Sequence, residues 1–166
     1  NEEVVWKYDK EKEAAKKAEA KALEEKQAQL DKRPGRFFED QPDVNDDYQI
    51  HFIYLLLLDG KDSELDISGW IEKRIKTVNK KFLKISAKNK KSNGVGKKFK
   101  FDYRKDGKID ITFVRMDWTE GELPKYPERR IYGLLSKHNH LNNPKKTYAI
   151  FTGFKAKAGD HHGGSG

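Results

Sequence analysis

An unbroken apolar run in a chain this polar has to be buried, and QIHFIYLLLL at residues 49–58 is such a run. It falls well short of the roughly 18 apolar residues that a membrane-spanning helix needs, and no other stretch of the sequence is longer. Its isoleucines, aromatics and leucines, closed by the turn pair Asp59-Gly60, read as a strand covered on both faces. Such a strand belongs at the centre of a sheet.

The other periodic segments are arranged around it. Ile71, Ile75, Val78, Phe82 and Ile85 recur every three or four residues and predict an amphipathic helix over 68–87, with Asp66 or Ser68 available as its cap. Phe99, Phe101 and Tyr103 alternate with polar residues, as do Ile109, Ile111 and Phe113. With Asp106-Gly107 between them they predict a β-hairpin. Pro127 opens a second helix that places Ile131, Leu134, Leu135 and His138 on one face, and KTYAIFTGF at 146–154 reads as the last strand. Trp70 and Trp118 are expected to pack inside. The predicted class is α+β: a mixed β-sheet with two packed helices, preceded by a charged N-terminal helical arm.

That arm covers residues 1–33. Its body, 9–30, is built from Ala, Lys, Glu and Gln, which favour helix, yet its large apolar residues are only Leu23 and Leu30. Either it stands in solvent, or residues 1–33 dock a protein partner. Ahead of that body, Val4-Val5-Trp6 and Tyr8 form a small apolar cluster that could dock on the domain. Arg33-Pro34-Gly35 stops the helix. An acidic linker is expected over 34–47, the α+β domain over 48–154, and a glycine-rich flexible tail over 155–166.

Charge divides along the same boundaries. The net charge of +8 suggests nucleic acid until it is mapped. The arm holds nine acids and nine bases, residues 34–69 hold nine acids against two bases, and residues 70–108 hold fifteen bases against three acids. An acidic block directly before a basic block suggests mutual neutralisation in the fold.

Three constellations could carry function. Lys88, Lys90, Lys91, Lys97, Lys98, Lys100 and Arg104 surround the aromatics 99–103, the pattern an acidic polymer or surface would meet; the bland alternative is a solvated face with the aromatics pointing inward. Asp160, His161 and His162 are candidate metal ligands, for zinc, although neighbouring histidines diverge on regular structure. Asp59, Asp62, Glu64 and Asp66 could hold calcium through oxygen, or could simply form a turn and helix cap. The absence of cysteine excludes disulfides and thiolate metal sites. The sequence contains no P-loop, dinucleotide fingerprint or Ser-His-Asp order, so no catalytic residue is assigned.

The segments IHFIYLLLLDGKDSELDISGWIEKRI, DGKIDITFVRM and KKTYAIFTGF resemble the N-terminal half of secreted bacterial zincin-type metallopeptidase-like proteins, over about residues 48–153. The resemblance implies export, to the periplasm or the medium, and an α+β fold. It transfers no catalytic residue, because none of His51, His138, His140, His161 and His162 stands in a His-Glu-x-x-His motif. In that group the zinc helix is expected further along the chain. The leading expectation is an exported domain acting as a scaffold or binding part and not as an enzyme. The alternatives are a polyanion-binding module using the region from Lys80 to Lys108, and an assembly subunit using the N-terminal helix.

Overall fold

The apolar run forms the central strand of a three-stranded parallel sheet. The computed structural model describes residues 2–154, in two units that meet at Pro34 and Gly35. The first unit is the helix α1 (Glu2–Asp31), with Trp6, Tyr8 and Leu30 exposed and the Lys10 ammonium 3.7 Å from the centre of the Trp6 ring. The second unit is α+β, as expected. It contains β1 (Gln49–Leu56), α2 (Trp70–Ala87), β2 (Ile111–Arg115), α3 (Glu128–Lys137) and β3 (Lys146–Thr152), with sheet order β2-β1-β3. Among the described residues no helix is long and apolar enough to cross a membrane.

Alternation along β1 divides the core in two. Phe52, Tyr54 and Leu56 face Ile71 and Ile75 of α2, together with Phe101, Ile109, Ile111 and Phe113. Ile53, Leu55 and Leu57 face Ile131 and Leu135 of α3, with Met116 and Trp118. The two helices therefore cover opposite faces of the sheet, which is why β1 is apolar on both.

Both named pairings are parallel: Ile53 lies opposite Thr112 of β2 and Ile150 of β3. The antiparallel part of the expected mixed sheet is confined to the hairpin, where Tyr103 bridges Ile109 and the Arg104 amide bonds the Lys108 carbonyl around Asp106-Gly107. Gly107 has φ of 80°, the left-handed conformation such a turn requires. The arm before the turn is short: the Asp110 amide bonds the Asp102 carbonyl, while the Asp102 amide and the Lys100 carbonyl bond to Ile50 of β1.

Several local expectations are corrected. α2 begins at Trp70 behind Gly69 (φ 79°), so neither Asp66 nor Ser68 caps it; Asp66 is bonded to Arg36. Only the first half of the α2 stripe is buried. Val78 and Ile85 are exposed where the helix continues past its apolar neighbours, and Phe82 stacks on Phe99 at 4.3 Å. Trp118 is buried beneath Arg130, whereas Trp70 is 42% exposed under Arg74. His138 is exposed at the α3 C-terminus and so adds nothing to the core face.

The largest correction concerns the expected linker, whose residues 36–43 are anchored to the domain although most of 34–47 stays exposed. The Phe113 amide bonds the Phe37 carbonyl, which continues the sheet beyond β2. Arg36 is buried above the Phe113 ring at 4.0 Å and grips Asp62 (2.7 Å) and Asp66 (2.8 Å). Two acids of this segment, Asp40 and Asp43, reach the buried Lys146 ammonium, while Asp46 and Asp47 pair with Lys145 and Lys100 at the surface.

Candidate functional site

The strands carry their polar residues at their N-terminal ends, and there, on the α3 face, a buried polar centre forms. Lys146 opens β3, His51 lies one turn of the pleat into β1, Thr112 is the second residue of β2, and Asp102 and Asp110 occupy the paired arms of the hairpin. All five are at most 8% exposed. Asp40 and Asp43, from the segment before β1, close the centre at its rim, with side chains 35% and 34% exposed.

The geometry is tightly specified. The Lys146 ammonium donates to Asp40 (2.6 Å), Asp43 (2.6 Å) and Asp102 Oδ2 (2.7 Å), which uses all three of its protons. His51 Nδ1 lies 2.8 Å from Asp102 Oδ2 and Nε2 lies 2.8 Å from Thr112 Oγ1. Asp110 Oδ2 accepts from the Gln41 amide at 2.7 Å. Two buried oxygens, Asp102 Oδ1 and Asp110 Oδ1, receive no hydrogen bond.

The electrostatics follow from that imbalance. Burial opposes ionisation of Asp102, but hydrogen bonds from His51 and Lys146 outweigh it and hold the carboxyl below its usual range. Burial pushes Asp110 up to about 6, helped by the nearby charges of Asp102 and Asp40, because the Gln41 amide is too weak a counterweight. Burial also opposes the charge on Lys146, yet its three carboxylates raise its pKa. The hydroxyl–imidazole–carboxylate order of Thr112, His51 and Asp102 is that of a nucleophile relay. A nucleophile must meet its substrate, however, and Thr112 is 2% exposed, so the relay serves as an internal hydrogen-bond chain.

The sequence-predicted sites lie elsewhere. Lys88, Lys90, Lys91, Lys97 and Lys98 are exposed along the end of α2 and the segment after it. That segment is tied down: Asn79 exchanges two hydrogen bonds with the Phe99 backbone, and Ser86 Oγ accepts from the Lys97 amide. A Cβ on Gly96 would stand 2.4 Å from the Leu83 carbonyl oxygen, so only glycine allows this close approach. Lys100 pairs with Asp47, and Arg104 folds onto Asp106 and the Phe37 ring. Phe101 and Tyr103 turn to the core, as the alternation requires, while Phe99 stays partly exposed.

The calcium reading of the acidic turn fails. Asp62 and Asp66 are occupied by Arg36, and Asp59 accepts from the Glu120 amide. Asp160, His161 and His162 lie outside the described residues. The centre at His51 escaped sequence reasoning because its members are up to 106 positions apart. The usable signal was polar residues set inside apolar strands: His51 before Phe52, Asp102 between Phe101 and Tyr103, Asp110 between Ile109 and Ile111. Compared with family models, curated proteins and solved structures, the chain matches none.

Proposed function

We propose that this chain is an exported α+β domain, akin to the front half of a secreted metallopeptidase-like protein, that serves as a scaffold or binding part. The observation supporting a binding role is charge segregation. Four of the nine acids of residues 39–66 turn to Arg36 and Lys146, and two more pair at the edge, Asp47 with Lys100 and Asp46 with Lys145. None of these ion pairs joins that block to the lysines of α2 or of residues 88–98. Fractionation of cells making the complete natural product, combined with zinc analysis and a peptidase assay on this chain, tests the reading. Export of an inactive domain is the expected outcome; zinc-dependent peptidase activity from these residues would overturn it.

The same surface favours a second reading that supplies the ligand: an acidic polymer or acidic surface bound by Lys88, Lys90, Lys91, Lys97 and Lys98. The exposed Val78, Ile85 and Val95 lie in the same stretch of chain and give it an apolar component. Retention on heparin at near-physiological salt, lost when the five lysines become alanine, is the expected result. Elution at low salt by both forms would exclude it.

A further inference from the structure

We propose that the buried centre binds one divalent cation of the manganese class through Asp40, His51, Asp102 and Asp110. One ligand atom from each of these residues lies within 4.8 Å of the others, the spread that a single coordination sphere spans. Proximity of acids alone would not carry this. What does is the pair of oxygens, Asp102 Oδ1 and Asp110 Oδ1, that sit without a donor on residues 0% and 1% exposed. A buried carboxylate oxygen without a donor is costly, and native interiors rarely leave one. Lys146 cannot repair the deficit, since its three protons already serve Asp40, Asp43 and Asp102. Three carboxylates thus meet one ammonium, Asp110 adds a fourth beside them, and the centre carries an excess of negative charge.

The donor set selects the cation. Carboxylates alone suit calcium and magnesium, whereas an imidazole among them moves preference to manganese or zinc. His51 is prepared for this role. Its Nδ1 faces both Asp102 (2.8 Å) and Asp40 (3.7 Å), and its Nε2 is held by Thr112, the outer support that ligating histidines usually have. The cation would take the place of the Nδ1 proton. The partly exposed Asp40 carboxylate at the rim gives an entrance.

The test is titration of the chelator-stripped chain with MnCl2, followed by the loss of the free Mn2+ electron paramagnetic signal and by thermal unfolding. One equivalent bound with a raised Tm is expected, with Ca2+ binding more weakly. Asp110→Asn, which keeps the shape and the Gln41 contact, should weaken binding about tenfold or more, as even outer-shell changes do. Asp40→Asn at the partly exposed rim, which keeps an oxygen for the Lys146 ammonium, should do the same. A variant with Asp160, His161 and His162 all replaced by alanine should bind as before. Absence of stoichiometric binding, equal binding by the Asp110 and Asp40 variants, or loss of binding with the tail variant would each overturn the proposal. None of these outcomes bears on export or on heparin, so this site and the proposed function can fail separately.

Discussion

Arg36 and Lys146 are both buried cations among carboxylates, yet one network is closed and the other open. The Arg36 guanidinium meets two carboxylates in forked geometry, with Nε and Nη2 on Asp66 and Nη1 and Nη2 on Asp62. Both oxygens of each acid have a partner. Lys146 is a point charge with three protons for more acids than it can serve, and the surplus appears as two unpaired oxygens. The contrast separates a group that holds the fold from one with capacity left for a ligand. Buried ion pairs are not strong evidence of stability, but a buried pair stripped of one partner is strongly destabilising.

The comparison breaks first at Arg36. Arg36→Met takes from Asp62 and Asp66 the guanidinium that bonds both oxygens of each and should cost about 3–5 kcal/mol in urea unfolding. At the centre, Thr112→Val takes away the partner of His51 Nε2 and should cost about 1–3 kcal/mol, the penalty of one unsatisfied buried group. Asp110→Asn should act in the opposite direction. In chelator at pH 8 it should stabilise by about 1–2 kcal/mol, since it removes a buried charge that lacks a full set of donors. The same change in the closed network, Asp66→Asn, should destabilise; if both substitutions move stability the same way, the distinction fails.

Acid should reveal the closed network as well. Burial opposes ionisation of Asp62, but Arg36 and the Glu64 amide hold its carboxyl below the ordinary value of 3.8. A group depressed in the fold contributes stability above its unfolded pKa and loses it as pH falls through the folded one. The wild type should therefore lose stability below about pH 4, and Arg36→Met should flatten that limb. The smallest effect belongs to the exposed Lys100–Asp47 pair, where Lys100→Ala should leave the urea midpoint unchanged.

Periodicity made much of the fold legible. The two-faced run at β1, the Asp106-Gly107 turn, the second helix and the last strand all stand close to where their residues place them. What stayed hidden depends on contacts that no local pattern records. Residues 36–47 look like a linker because their charges are typical of solvent and most stay exposed; only the distant Lys146, Asp62 and Asp66 show that Arg36, Asp40 and Asp43 anchor the segment to the domain. α2 misled in the other direction: its stripe is regular to Ile85, but full burial ends at Ile75, and beyond it Phe82 is half-buried and stacks on Phe99. The centre at His51 needed strand register, because His51, Thr112 and Lys146 are brought to one face by parallel pairing and not by spacing.

The Phe37–Thr112 bridge and the Asp40–Lys146 contact also bear on the order of events in time. The first needs β2 in place and the second needs β3, so the whole seat for residues 36–43 is complete only once both strands flank β1. Contacts that complete after the rate-limiting step change how fast a protein opens, not how fast it closes. Arg36 and Asp40 thus act as a latch: loosening them should speed unfolding and leave the refolding limb of the chevron where it was.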